Sequence, residues 1–377
     1  MDKRFVLPGV DARTPLRIAA PAILLAKAEP LFELEASARG GADMDAVHDM
    51  RVASRRLREA IRLLGPIYAK RESRRWYRRI RDITGALGPV RDSDVFIDAL
   101  GALAPALGDG GKRAVAFMVG FRSAQRVGEL AALNRELGGL DLVTSRSKFV
   151  RFARSLAETT DAERSLVDFA HAEVTSRAAV AFGIQPHALL EANILDQHQL
   201  RIDYKRIRYA VEAFAPCYGD AFDALHATLT SFQDVLGELH DAHVFLEMLS
   251  DPERAIAAER AGVSPPDIAE LVAAIDARAQ NEFLRFLSLA SDYPPQRLLP
   301  ALLLPLAEAQ PPTSLERMDS EPGEERPAKG AAEGARELEQ EVLPAHGAAR
   351  ITPMGILSQR PWEDGWDDEL IEFPSGT

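Results

Sequence analysis

His48-Asp-Met-Arg51-Val-Ala-Ser-Arg55-Arg56-Leu-Arg58 and His198-Gln-Leu-Arg201-Ile-Asp-Tyr-Lys205-Arg206-Ile-Arg208 carry one pattern twice, 150 residues apart. A histidine, an arginine, a basic pair and a further arginine recur at the same relative positions. Each stretch is followed by a second echo, Leu87-Gly88-Pro89-Val90-Arg91-Asp92 and Leu236-Gly237-Glu238-Leu239-His240-Asp241, now 149 residues apart. Two motifs in the same order, slipped by one residue, mark a duplicated unit. The repeated residues are cations, so the duplicated surface is expected to hold something anionic.

Stepping about 100° per residue along a helix gathers Arg51, Arg55, Arg58 and Arg62 into one sector with His48 at its edge. Met50, Leu57, Ile61 and Leu64 fall on the opposite side. The same wheel started at His198 sets Arg201, Lys205 and Arg208 against Leu200, Ile207, Val211 and Phe214. A neighbouring helix repeats the division, with Arg71, Arg74, Arg78 and Arg81 opposite Trp76, Ile80, Ile83 and Leu87. Cations one turn apart, about 5.4 Å, suit a ligand with regularly spaced anionic oxygens. Arginine also presents a planar fork of donors to a phosphate and keeps its charge near neutral pH. The competing reading is a solvated face held by intrahelical ion pairs. Few acids interleave here, however, and that reading leaves the repeat unaccounted for. His48 and His198 are read as hydrogen-bond donors to the ligand; Asp92 and Asp241 either cap the helices that follow them or orient a nearby arginine, and the cap is the favoured reading.

Composition bounds the rest. The chain has 377 residues and a formal net charge of −12. From Pro311 onward there are 15 acids and six bases, which is −9 and leaves −3 for the body. Within that body, His48 to Asp92 holds 13 Lys or Arg against five acids, a local excess of +8. Such a chain binds anions at a site, not over its whole surface. Cys217 is the only cysteine, so no intrachain disulfide forms and a reducing cytoplasm is the expected setting. No apolar run approaches the roughly 18 residues of a membrane span. The apolar stretch Ile18–Ala26 contains Pro21 and runs into Lys27 and Glu29, so it reads as part of a first amphipathic helix, not a signal peptide.

Apolar periodicity and Gly/Pro punctuation predict helices throughout: Leu16–Ala38, Asp45–Leu64 with Asp45 as N-cap, Glu72–Leu87, Asp92–Pro105 and Arg113–Leu137. The second unit is predicted over Ser145–Glu158, Ala162–Phe182, Leu189–Phe214, Ala221–Leu236, Ala242–Leu249 and Pro266–Leu289, with one short helix ending near Glu308. The fold class is therefore all-α: two pseudo-two-fold-related helical bundles, 1–143 and 144–308, built from duplicated four-helix-type units. Residues 309–377 read as a disordered acidic tail.

A histidine-plus-basic helix followed some 40 residues later by Leu-Gly-x-x-x-Asp, in two copies, resembles the CHAD domain, the conserved histidine α-helical domain. The resemblance covers roughly Leu16 to Leu306. It implies two bundles about an approximate two-fold axis with a basic central cavity that binds inorganic polyphosphate. It also implies association with polyphosphate or polyhydroxyalkanoate granules. Carried over by position, the ligand contacts are His48, Arg51, Arg55, Arg56 and Arg58, then His198, Arg201, Lys205, Arg206 and Arg208. Arg62, Arg74, Arg78, Arg81, Arg91 and His240 extend that set along the same stripes. One notable asymmetry separates the copies: Ala221–Leu236 contains no lysine or arginine, which weights contact toward the first bundle.

The triphosphate-tunnel motif E-x-E-x-K, often fused to this family, has no match; Glu337-Leu-Glu339-Gln-Glu341 lacks the lysine. Neither a phosphate-binding G-x-x-x-x-G-K-[ST] loop nor a zinc H-E-x-x-H motif occurs. His240-Asp241-Ala242-His243 invites a metal, but its counterpart Arg91-Asp92-Ser93-Asp94 does not, so no metal or other cofactor is expected. The reading is thus non-catalytic polyphosphate binding, set against a metal-dependent phosphohydrolase and a nucleic-acid binder. The last lacks groove-reading motifs and stacking aromatics near the stripe. The tail closes on Trp362-Glu-Asp-Gly-Trp366-Asp-Asp-Glu-Leu370-Ile-Glu-Phe373, which reads first as a solubilising tail and, by its apolar anchors among acids, also as a docking motif for a protein partner or an autoinhibitory occupant of the basic groove.

Overall fold

Leu16 and Leu166 each open a helix and each donates its backbone N–H across to the other repeat. Leu16 N–H bonds Arg164 O and Leu166 N–H bonds Thr14 O, both at 2.9 Å. The two bonds exchange under the 150-residue offset of the sequence motifs, which places an approximate two-fold axis between them. The computed structural model describes residues 5–40, 44–139, 142–156 and 160–310. The predicted disordered tail, from 311 on, lies outside the described residues.

The first repeat runs α1 (Leu16–Glu33), α2 (Glu35–Gly40), α3 (Met44–Leu64), α4 (Lys70–Leu103), α5 (Asp109–Gly139) and α6 (Leu142–Arg154). The second runs α7 (Leu166–Ala188), α8 (Ile194–Ala213), α9 (Phe222–Leu249), α10 (Pro252–Arg260), α11 (Pro265–Asp292) and α12 (Pro295–Ala309). Among the described residues there is no strand, only isolated bridges pairing Pro15 with Ser165 and Tyr68 with Leu156. Within the repeats α3 packs on α1 and α4 and α4 on α5; correspondingly α8 packs on α7 and α9 and α9 on α11. The bundles meet where α3 touches α8 and α5 touches α11. The sequence reading opens the second unit at residue 144, but α6 lies against α1 as α12 lies against α7, so the packing pairs α6 with the first repeat.

Several boundaries differ from the punctuation: Leu16–Ala38 divides into α1 and α2, α7 runs past Phe182 to Ala188, and α8 opens at Ile194 instead of Leu189. Gly88-Pro89 does not end a helix: α4 is continuous from Lys70 to Leu103, and α9 is equally continuous through its own Leu-Gly. An interior proline removes one i→i−4 bond and crowds a carbonyl, at about 3 kcal/mol. Burial of Leu87 and Val90 on either side of Pro89 offsets that cost. Asp45 is not the N-cap of α3 but lies in its first turn, where its charge still faces the positive end of the helix dipole. The core is apolar on the predicted faces. Trp76, Phe149 and Phe152 interlock in the first repeat, with Trp76 edge-on to Phe149 at 5.0 Å between ring centres. Tyr204 stacks on Phe232 at 4.4 Å in the second.

Candidate functional site

Two contacts set the register of α3 on α4. Arg51 Nη2 meets Asp92 Oδ1 at 3.2 Å, and the hydroxyls of Thr84 and Ser54 bond at 2.9 Å. The helices therefore run antiparallel, so the row Arg55, Arg58, Arg62 on α3 passes alongside Arg81, Arg78, Arg74 on α4. The Leu-Gly motif has a spatial meaning here. Arg51 Nη2 lies 3.9 Å from where a Cβ at Gly88 would stand, and Arg201 Nε lies 3.9 Å from the same position at Gly237. In each repeat, then, the arginine of the first motif crosses the glycine of the second toward its aspartate. Asp92 and Asp241 are consequently mid-helix partners of arginine, not the N-caps expected from sequence.

Both aspartates sense both repeats. Burial raises the pKa of Asp92, while Arg51, Arg55, Arg122 and, from the other repeat, Arg201 pull it back. Burial likewise raises Asp241, opposed by Arg201 and Arg278 and reinforced by Glu238 and Asp92. The two motif pairs thus occupy one electrostatic neighbourhood where α3 meets α8. The histidines repeat too. Burial and then Arg91 depress His48 below its ordinary value. At the matching place His198 faces His240, with Nδ1 of each 3.1 Å apart, so one ring donates and the other accepts. Burial, then Arg201, His198, His243 and Lys205, push His240 well down. His48 and His240 are accordingly neutral at pH 7, and either gains a proton most readily when an anion offsets the surrounding guanidinium charge.

Four expected ligand contacts have other work. Arg56 Nε and Arg208 Nη1 each donate to Glu212 at 2.9 Å, and His226 Nε2 lies 3.0 Å from the same carboxylate. Arg208 Nε also donates to Gln233 at 2.5 Å. At the other end of the seam Arg62 and Arg177 hold Glu59 at 2.8 and 3.0 Å, with Arg206 adding its field and donating to Asp203 at 3.1 Å. Burial opposes ionisation of Glu212, but His226, Arg56, Arg208 and Lys27 outweigh it and bring the carboxyl to about 2. Arg62 and Arg177 do the same for Glu59. Arg56, Arg62, Arg206 and Arg208 are therefore ion-pair partners that bind one repeat to the other or brace the seam. For Arg56 and Arg206 the reason is angular: each sits about 100° past the basic sector and faces the neighbouring repeat.

Arg51, Arg55, Arg91, Arg201, Lys205, His48, His198 and His240 are grouped about the axis, with Arg51 on Asp92 and His198 on His240. Arg58 is half-buried on the same stripe, Arg74 is half-buried farther along α4, Arg78 is exposed, and Arg81 pairs with its neighbour Asp82 at 3.2 Å. The structure adds Arg122 of α5, buried and 3.4 Å from Glu129, and Arg278 of α11, paired with Glu238. Sequence reading misses both because α10 has no counterpart in the first repeat and breaks the offset before α11. Among the described residues no group of three or more His, Cys, Asp or Glu is placed to hold a metal ion, and no helix is long and apolar enough to cross a membrane.

The model of the CHAD domain family matches residues 22–250. The fold is similar to that in "Crystal structure of the CHAD domain from the plant Ricinus communis", with a TM-score of 0.50 at 24% identity, covering 81% of this chain and 96% of that one. It is also similar to PptA from Streptomyces chartreusis, with a TM-score of 0.53 at 17% identity, covering 76% of this chain and 99% of that one. No curated protein sequence matches the chain significantly.

Proposed function

The chain belongs to the CHAD domain family, and from that premise we propose that it binds inorganic polyphosphate, or a closely related polyanionic phosphate, along the α3/α8 seam without turning it over. The observation that carries the reading is the convergence of Arg51, Arg55 and Arg201, from both repeats, on Asp92, with Arg201 also at Asp241 and, beside Lys205, at His240. Cations outnumber carboxylates there, and an anion with several charges relieves the excess. A linear polyphosphate meets that demand at the middle of the seam, where Arg51 and Arg55 on one helix, and Arg201 and Lys205 on the other, recur one helical turn apart. Its field also favours protonated His48 and His240, which adds donors to the same oxygens. Granule association follows from this reading as recruitment by the bound polymer.

The test is calorimetric titration of the full chain with polyphosphates of defined length in low salt. Saturable binding is expected, retained against an excess of duplex DNA, with no phosphate released when magnesium or manganese is added. Absence of saturable binding, or displacement by duplex DNA at equal charge concentration, rejects the proposal. Metal-dependent phosphate release would transfer the reading to a hydrolase.

A further inference from the structure

A groove of about 410 Å³ lies between α4 and α6, away from the α3/α8 seam. Trp76 and Phe152 form its floor, with ring centres 6.1 Å apart and planes inclined by 30°. Arg75, Arg79, Lys148 and Arg151 stand around it. Arg79 lies over the Trp76 ring at 5.8 Å and donates to Ser145 Oγ at 2.6 Å, which fixes one side of the rim. Arg75 pairs loosely, at 3.9 Å, with the half-buried Glu72, which also lines the groove. Lys148 and Arg151 are exposed and make no ion pair among the described residues.

The duplication provides an internal comparison. Superposing the buried residues Phe149 and Ala153 of α6 on Leu302 and Leu306 of α12 sets Lys148 against Ala301 and Arg151 against Leu304. The repeat therefore folds without cations at these positions, and the basic rim belongs to the first copy alone. An apolar floor also makes a poor seat for bare phosphate; it calls for an occupant with both aromatic and acidic groups.

The chain carries such an occupant. Residues 362–373 hold six acids, and Trp362, Trp366, Leu370 and Phe373 follow at spacings of four, four and three. As a helix, that spacing puts the four apolar side chains on one face and leaves the acids on the flanks. Residues 310–361, 52 in number, link it to α12; a coil of that length spans about 40 Å. A body of some 300 residues has a radius of gyration of about 19 Å, so every face is within reach, at an effective concentration on the order of millimolar.

We propose that the α4/α6 groove is the docking site of the chain's own segment Trp362–Phe373, bound as a helix with its aromatic face on Trp76 and Phe152 and its acids against Arg75, Lys148 and Arg151. The contact is intramolecular, and it does not depend on the polyphosphate reading. Hydrogen–deuterium exchange on the full chain tests it. Amides of 362–373 should exchange at least about tenfold more slowly than an unprotected peptide, independent of protein concentration. Lys148→Glu with Arg151→Glu, on exposed positions, should abolish that protection while leaving helicity unchanged. Trp362→Ser with Trp366→Ser leaves the body untouched and should abolish it equally, so a folding defect in the first variant does not obscure the answer. Four outcomes overturn the proposal: no protection in the unmodified chain, protection that survives either variant, protection lost only when Arg55 is reversed, or protection that grows with concentration and so reports a second copy.

Discussion

Replacing Glu212 by glutamine should destabilise the protein by about 3 kcal/mol at pH 7 without removing a ligand contact. Glu212 is 2% exposed and carries Arg56, Arg208, His226 and Lys27 around it. Its carboxyl falls from 4.5 to about 2 in the folded chain. At 1.36 kcal/mol per pH unit of displacement, that is about 3 kcal/mol, in the range expected for leaving buried cations without their counter-charge. The sign is fixed by linkage. A carboxylate whose folded pKa is depressed stabilises above its unfolded pKa, and that contribution drains away as pH falls toward the folded value. The difference between unmodified and Glu212→Gln protein should therefore be full at pH 7, roughly 2 kcal/mol at pH 3.5, and nearly gone at pH 2. Urea titration at several pH values measures it; with a slope near 3 kcal/mol per molar, the midpoint should drop by about 1 M at pH 7. A midpoint difference under about 0.3 M, or one that does not shrink with acid, refutes the account of the seam. Polyphosphate affinity measured below the transition should change little, since Glu212 anchors the cations assigned to structure.

Polyphosphate binding should weaken steeply with salt. With about six cations engaged, counterion release of roughly 0.7 per contact predicts a fall of about 300-fold between 50 and 200 mM salt, and a flat dependence would exclude a seam built on charge. Arg55→Gln should weaken binding by about 1–2 kcal/mol and Lys205→Gln by somewhat less, because the first half of α9 lacks the cations that α4 supplies; Arg56→Gln should leave affinity nearly unchanged and lower the melting temperature instead. If Arg56→Gln proves the worst binder, its assignment to the ion pair with Glu212 is wrong. Because burial and neighbouring cations depress His48 and His240, acid destabilises the unliganded chain as pH drops below the unfolded histidine value near 6.5. A bound polyanion reverses that balance, so affinity should rise from pH 7.5 to 5.5 with proton uptake. Calorimetry in buffers of different ionisation enthalpy reads that uptake, and heats independent of buffer would contradict it.

How much of this was legible in the sequence depends on whether a signal was local. The wheel for α3 works because amphipathic periodicity acts within one helix, and Met50, Leu57, Ile61 and Leu64 are buried as it requires. Gly88-Pro89 misleads because turn chemistry is a local preference that tertiary packing overrides on α4. The glycine is there for a reason invisible in one dimension, the passage of Arg51 over its backbone. The aspartate four residues later reads as a cap until Arg51 is seen to reach it. Arg56 and Arg206 belong to the motif but not to its basic sector, and the helical wheel alone separates them from Arg55 and Lys205. Lys27 and Arg177, one turn of each first helix, carry no sequence sign that they serve Glu212 and Glu59 across the axis.

The duplication also explains why the seam can be both cationic and closed. Each acid at its ends is held by its own repeat and by two cations of the other: Glu59 by Arg177 and Arg206, Glu212 by Lys27 and Arg56. These acids are not sequence mates; Glu212 aligns with Arg62 and Glu59 with Tyr209. The same arrangement has thus been reached with different residues, so the geometry of the seam, not inheritance of one ion pair, demands a carboxylate at each end. Toward the axis the demand changes. Arg51 and Arg201, with Gly88 and Gly237 beneath them and Asp92 and Asp241 beyond, keep the same identities in both copies. Mates near an axis face one another, so a change in one copy must suit the other. Mates at the ends face different neighbours and drift apart. Charge compensated within the protein at the ends, with cations of both repeats gathered at the centre, is the distribution that would let the two bundles stay joined around the proposed polyanion.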